Sequence, residues 1–505
     1  MTLQLLDALA FDLEGGPQEP LYKKLHTRLV TEISSGGIRP GTRLPSTRSL
    51  ARTLGVSRAT VILAFEELVS EGYLQGQPGS GTYVAERLPQ RPASVPSGPG
   101  VRSVPPSRPD RPRGAGCFSG VPERLYVPRR PVPFRPNFPS LDDFPIELWA
   151  RLTAGIYRRH ARTKNLLLGE GDAQGYLPLR SAIAEHVRLS RGVRCTGDNV
   201  IIFAGAQQAL DVASRLFLAP GDRAWCEDPG YEGAYAAIIA SGAVPVPVPV
   251  DDEGISVDEG RRRCENARLA FVCPSKQFPL GMEMTLGRRL QLLEWAANAG
   301  AWIIEDDYDN EFRFSGRAIP ALHAIDDGER VIYLGTFSKV LFPSLRLGFA
   351  IIPDGLVDAF VAARGVVGRY SPLLEQMVVA EFMRDGHFAS HLLRMRKLYS
   401  ERHEAMLDCA SRYLSDFIKP LPSETGMQMI ATVADEFDPD EVARTAAAEG
   451  LEITPVSWFA VENHTPAALM LGFSAFSPAT IEYGMKRLRT CFEVQHRHST
   501  RTTCQ

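Results

Sequence analysis

The sequence has no excess of one charge, no paired cysteines and no long uninterrupted apolar run. Each absence excludes something. With 56 basic and 59 acidic residues the net charge is −3, so any contact with nucleic acid must come from a local patch. The eight cysteines are scattered without a CxxC pair or metal-like histidine spacing. They read as reduced thiols of a cytoplasmic protein, with no metal site. The first residues, MTLQLLDALAFDLEGG, lack a basic flank and are interrupted by acids, so they are no signal peptide. The most apolar window, AYAAIIASGAVPVPVPV, is broken by alternating prolines and suits a short helix and then a strand better than a membrane span. The expectation is a soluble protein without a membrane partner.

A chain of 505 residues is too long for one small domain, and three textures divide it. Residues 17–86 alternate short amphipathic helices with polar turns. Residues 87–132 begin RLPQRPASVPSGPGVRSVPPSRPDRPRGAG, with too few large apolar side chains to order themselves, and read as a Pro/Arg-rich flexible linker. From 133 to 495 apolar runs (VIIF, AWCED, LAFVC, AWIIED, VIYLG, GFAII) alternate with helical patterns, the mark of an α/β domain with a largely parallel sheet. Residues 496–505 read as a frayed, disordered tail.

In LPSTRSLARTLGVSRATVILAFEELVSEGYL, residues 44–74, Ser46 caps a helix that turns Leu50, Ala51 and Leu54 inward. Gly55-Val56-Ser57 then turns the chain, and Ser57 caps a second helix with Val61, Ala64, Phe65 and Leu68 inward. Arg58 and Thr60 face outward on its first turn, where base edges and phosphates are reached. YLQGQPGSGTYVAE follows as a hairpin around Pro78, Gly79, Ser80 and Gly81. Residues 20–86 resemble a GntR-type winged helix-turn-helix. That resemblance implies double-stranded DNA as partner, met by Ser46, Arg48, Ser57, Arg58, Thr60 and Gly81. Some members carry a further arginine where this chain has Ile62.

Four stretches of the large domain place polar groups at strand ends, where open α/β sheets bind ligands. AGAQQAL opens a helix with small residues, a backbone cradle for phosphate. EDPGYEGAY presents Tyr231. EDDYDNEF sets three acids after an apolar strand, and alone it would also suit a metal. GTFSKVLFPSLRLGF puts Lys339 between two buried strands, with Arg346 seven residues on. Burying carboxylates and a lysine together is costly unless something pairs them. Pyridoxal 5′-phosphate accounts for all four: a Schiff base on Lys339, an Asp on the ring nitrogen, Tyr231 stacked on the ring, and Arg346 with Thr336 on the phosphate.

Residues 133–495 resemble a fold-type I, aspartate aminotransferase-like domain. The resemblance implies Asp306 on the ring nitrogen, Tyr308 near the phenolic oxygen, Gly205, Ala206 and Gln207 at the phosphate, and Lys339 as the aldimine. GDAQGYLPLRSAIAEHV matches the GYxPLR segment of that family, whose tyrosine, here Tyr176, reaches the phosphate of the neighbouring subunit in a homodimer. Winged helix, Pro/Arg-rich linker and aminotransferase-like domain, in that order, resemble the MocR subfamily of GntR regulators. PSKQFPLGMEMT matches its PSHQ(F/Y)PxG signature with Lys276 where histidine is usual.

One departure stands out. Aminotransferases hold the substrate carboxylate with an arginine on a late strand, and ALMLGFSAFSPATI offers Met470 and Ala475 there. Either the effector lacks an α-carboxylate, or another arginine such as Arg369 serves, or the ligand is the cofactor itself. The expected function is a transcription regulator that senses pyridoxal phosphate or a small amine or amino acid. It would bind an operator of paired half-sites. The alternative is a working aminotransferase with an appended DNA-binding module.

Overall fold

A computed structural model describes residues 20–77, 80–89, 118, 121–128, 131–314, 320–326, 329–462 and 465–502. The chain divides into two compact units, Met1–Asp110 and Arg111–Gln505. Pro78 and Gly79 of the expected wing tip lie outside the described residues, as does most of the linker.

In the first unit, helices Leu21–Ser34, Thr47–Leu54 and Arg58–Ser70 pack through Leu25, Leu29, Leu50, Val61, Ala64, Phe65 and Leu68. Both expected caps are present. Ser46 accepts from the Ser49 amide at 3.2 Å and Ser57 from the Thr60 amide at 3.1 Å, satisfying donors that a helix start leaves open. Gly55 is left-handed and ends the first of these two helices. Strands β1 (Leu74–Gln77) and β2 (Gly81–Val84) form the antiparallel wing. Residues 41–44 add backbone bonds along β2, with Leu44 N–H donating to Thr82 and Val84 N–H to Thr42.

The second unit is built on an eight-stranded sheet. Its strands are β3 (Val200–Phe203), β4 (Arg223–Asp228), β5 (Val244–Asp251), β6 (Gly254–Ile255), β7 (Leu269–Val272), β8 (Trp302–Asp306), β9 (Val331–Thr336) and β10 (Gly348–Ile351). The order is β3-β10-β9-β8-β7-β4-β5-β6. Strands β5, β4, β7, β8 and β9 are parallel, whereas β10 runs antiparallel to both its neighbours. The central strands are buried on both faces, which is why they read as continuous apolar runs. Ile303 packs on one side with Val331 and the stacked pair Trp225–Trp295, and Ile304 on the other with Ile332.

The three prolines of β5 find an explanation in this order. Val244 N–H donates towards β4, to Asp222, so the ring nitrogens of Pro245, Pro247 and Pro249 face the opposite, nearly open edge. No ladder bond is lost, and the edge offers few donors to another strand.

A smaller antiparallel sheet, β11 (Ile418–Pro420), β12 (Gln428–Val433), β13 (Thr454–Pro455) and β14 (Ala468–Gly472), completes the unit in the order β11-β12-β14-β13. Helices His387–Leu414 and Pro478–Thr502 accompany it. The latter corrects one boundary: the stretch expected to fray from 496 continues as helix to Thr502. Among the described residues no helix is long and apolar enough to cross a membrane.

The Ser57 cap generates a prediction. Ser57→Ala should destabilise the first unit by about 1 kcal/mol and speed amide exchange over Arg58–Ser70, while Ser57→Asp should restore both. Hydrogen exchange on the full chain measures it, and unchanged exchange in the alanine variant would contradict the capping role.

Candidate functional site

Strands β4, β8 and β9 end at one edge of the large sheet, and the turn after β3 reaches the same edge. There a cavity of about 190 Å³ opens. Gly205, Ala206, Gln207, Tyr231, Asp306, Tyr308, Thr336, Lys339 and Arg346 all line it. Four segments far apart in sequence thus converge on one space. Tyr176 does not line it. It lies in a separate groove with Met377, Glu381 and Arg384, and its amide donates to Gln376.

The three consecutive acids at the end of β8 have three different fates, because alternate residues of a strand point to opposite faces. Glu305 is fully buried and accepts amides of Leu322 and His323 at 2.8 and 2.9 Å. Asp307 forms a two-point pair with buried Arg191 and accepts the Tyr333 hydroxyl at 2.6 Å. Asp306 alone turns to the cavity, and its Oδ1 is buried without a hydrogen-bond partner. Burial, reinforced by the charge of Asp307 and opposed by Lys339, pushes its carboxyl up to about 7.

Lys339 is part-buried, and its ammonium donates to the Asn137 carbonyl at 3.0 Å. Burial lowers it to about 8; Asp309 and Asp306 oppose the shift, and the charges of Arg135 and Arg346 assist it. Its amine therefore reaches the neutral, nucleophilic form far more readily than an exposed lysine.

At the other end of the cavity, Gly205 (φ 102°) precedes helix Ala206–Phe217, whose first turn has neither an acid nor a side-chain cap. Its open amides and helix dipole suit an anion. Arg346, in the left-handed region at φ 49°, brings its guanidinium beside this turn: a Cβ on Gly205 would lie 3.5 Å from Nη2. The Tyr231 hydroxyl donates to Gln207 Oε1 at 3.0 Å. The Tyr308 hydroxyl is buried without a partner.

Asn137, Cys273, Phe278 and Ser338 also line the cavity and were not singled out from sequence. Ser338 neighbours a chosen residue and could have been. Asn137 comes from an irregular strap with no periodic signal.

The variant signature residue Lys276 does not reach the cavity. It is buried and donates to Asp309 Oδ2 at 3.1 Å and to the Thr425 carbonyl at 2.8 Å. Room for its ammonium is made by Gly426 (φ 108°), where a Cβ would collide with Nζ. Met470 is wholly buried in β14. Arg369 lies exposed and pairs with Glu170 at 3.4 Å. The cavity of this chain thus contains neither.

In the first unit Ser46, Arg48, Ser57 and Arg58 are exposed, and Thr60 is partly so. Arg43, not anticipated from sequence, lies beside the wing: a Cβ on Gly81 would be 3.1 Å from its Nε.

Comparison with known proteins supplies the context. Residues 21–84 match the model for bacterial regulatory proteins of the gntR family, and residues 145–488 match aminotransferase class I and II. The chain is 39% identical to the probable rhizopine catabolism regulatory protein MocR of Rhizobium meliloti, over 95% of both chains. It is 29% identical to the HTH-type pyridoxine biosynthesis transcriptional regulator PdxR of Corynebacterium glutamicum, over 92% of this chain and 95% of the other. Among solved structures it resembles LysN, the α-aminoadipate aminotransferase of Thermus thermophilus, complexed with N-(5′-phosphopyridoxyl)-L-leucine. That match has a TM-score of 0.68 and 28% identity, covering 76% of this chain and 98% of that one.

Gly426→Ala should break the Lys276–Asp309 pair and strain the backbone together, lowering stability by about 2–4 kcal/mol. Chemical denaturation measures it; a change below about 1 kcal/mol would mean that Lys276 has another resting place.

Proposed function

Because the chain belongs to the MocR subfamily of GntR transcription regulators, we propose that its aminotransferase-like unit is the sensor of a DNA-binding regulator and takes pyridoxal 5′-phosphate at Lys339. The observation that carries this is the pairing, in one cavity, of a lysine lowered to about 8 with a buried carboxylate whose Oδ1 has no partner. Such a pair is costly to bury unless a ligand completes it. The cofactor fits what is missing. Its ring nitrogen would take the free oxygen of Asp306, and its phenolic oxygen the free hydroxyl of Tyr308. Its phosphate would lie at the open amides of Gly205, Ala206 and Gln207 between Arg346 and Thr336. Tyr231 would stack on the ring, and Tyr176 would reach the phosphate from the second subunit of a homodimer.

The cofactor supplies an aldehyde that captures primary amines and a ring that draws electrons. The protein's residues do the rest. Lys339 delivers a neutral amine, and Asp306 holds the proton on the ring nitrogen. Arg346 and the helix dipole balance the phosphate charge. Neither late-strand position read for an α-carboxylate arginine, Met470 or Ala475, lines the cavity, and Met470 is wholly buried. This disfavours routine transamination of amino acids and suits a sensor.

Comparison with named regulators favours this reading over the appended-enzyme alternative. The regulator would act in the cytoplasm as a homodimer on paired half-sites. It would read base edges through Arg58 and Thr60 and phosphates through Ser46, Arg48, Ser57 and the Gly81 wing tip. The effector would be the cofactor itself or a small amine captured by it.

Two outcomes test this. Borohydride reduction after incubation with pyridoxal phosphate should add the cofactor's mass to the peptide containing Lys339. The rate of that labelling should rise with pH through about 8, as the depressed lysine loses its proton, and then level off. Lys339→Ala should take no label while remaining folded; an unlabelled wild type would refute the cofactor assignment. Arg58→Ala should weaken operator binding by about 1–3 kcal/mol if it reads a base. A uniform loss across sequences with a shallower salt slope would reassign it to phosphate, and unaltered affinity in the Arg48→Ala/Arg58→Ala double variant would refute the placement of the reading helix.

A further inference from the structure

Composition makes residues 87–132 a solvated spacer throughout, and the structure corrects this at its C-terminal end. Within residues 121–128 the chain is fastened to the large unit at Arg124, while Tyr126, Val127 and Pro128 stay exposed. Its Nε donates to Glu232 Oε2 at 2.6 Å and its Nη2 to the Trp458 carbonyl at 2.8 Å. The guanidinium also lies over Phe459, 4.8 Å from the ring centroid, and over Trp458 at 5.8 Å. A segment without enough apolar residues to order itself is ordered by a neighbour that supplies a carboxylate, a carbonyl and two aromatic faces.

We propose that this anchor is a clasp through which the Lys339 cavity controls the tether leading to the DNA reader. The inference rests on the reading of that cavity as the effector site. Its basis is how few contacts separate anchor from cavity. Glu232, the carboxylate partner, begins helix Glu232–Ala240 and directly follows Tyr231, which lines the cavity. Phe459, the aromatic partner, packs edge-to-face on Phe278 with centroids 4.8 Å apart, and Phe278 lines the cavity too. Phe278 in turn meets Tyr231 and Tyr308 edge-on. The two arms are tied together, because Gly230 N–H donates to the Phe459 carbonyl at 3.0 Å and Asp228 accepts the amides of Val461 and Glu462. Glu232 and Phe459, which hold Arg124, do not line the cavity themselves, but each lies one step behind its wall, Glu232 next to Tyr231 in the chain and Phe459 against the Phe278 ring.

A ring stacked against Tyr231 bears on both arms of the clasp. Closed, the clasp fastens residues 121–128 to the large unit; open, it releases them. That changes the reach of each reader and the effective concentration of the second half-site contact. The ligand shifts the clasp only by binding one of its states better than the other.

The test uses the full chain, pyridoxal phosphate as probe, and a duplex selected by the wild-type chain from a random-sequence library. In wild type, adding the cofactor should alter both amide exchange over 121–128 and affinity for the duplex. Arg124→Ala should still take the borohydride label at Lys339, because Arg124 does not line the cavity. It should exchange roughly tenfold faster over 121–128, the loss expected for a charged hydrogen bond. Its DNA affinity should no longer respond to the cofactor. Arg124→Lys, which keeps the charge but not the planar fork, should fall between the two and guards against a folding defect. Labelling with an intact DNA response in Arg124→Ala overturns the clasp alone. An unlabelled wild type overturns the cavity reading, and the clasp with it.

Discussion

The second unit is organised around the cost of holding an ammonium and a carboxylate in one buried space. Lys339 and Asp306 arrive from adjacent parallel strands, β9 and β8, whose ends lie side by side because the sheet is parallel there. Neither group is fully satisfied by the chain: Lys339 reaches a backbone carbonyl, and Asp306 Oδ1 reaches nothing. An incompletely paired buried charge would be selected against in a purely structural core. The neighbouring acids each have a partner, although Asp309 Oδ1, like Asp306 Oδ1, is buried without one. Asp307 is taken up by Arg191, Glu305 by two amides and Asp309 by Lys276.

The fold was largely legible because its signals are local. Apolar runs bounded by small residues mark central parallel strands, and Ser-x-x spacing before apolar periodicity marks the two capped helices of the reader. The convergence at the cavity was legible for a related reason: groups that follow a parallel strand share one edge of the sheet. What escaped lacks a local pattern. Asn137 reaches the cavity from a strap that follows no period. Arg43 meets the wing through backbone bonds to β2. The seating of Arg124 depends on Glu232 and Trp458, over 100 and over 330 positions away, and composition around Arg124 argues the opposite.

Lys276 illustrates a residue whose meaning changes with the structure. In sequence it is a lysine where the subfamily signature usually has histidine. In the fold it is a buried cation that neutralises Asp309, accommodated by a glycine at Gly426. Asp309 also acts on Lys339, being the largest of the charges that oppose its depression. The influence of Lys276 on the cavity is therefore indirect, through a shared carboxylate. The late-strand position tells the complementary story. Of the two positions read for a carboxylate-binding arginine, Met470 on β14 is wholly buried against side chains of the large sheet, and neither it nor Ala475 lines the cavity. The chain thus joins an aminotransferase-type framework to a GntR-type DNA-binding unit.

The central claim is that DNA binding reports on what occupies Lys339. The most direct measurement is duplex affinity by fluorescence anisotropy at fixed salt, with and without pyridoxal phosphate, for wild type and Lys339→Ala. The account predicts that the cofactor changes wild-type affinity and leaves the Lys339→Ala value where it was. Equal responses in the two proteins, or none in either together with steady keto-acid-dependent turnover by wild type, would contradict it.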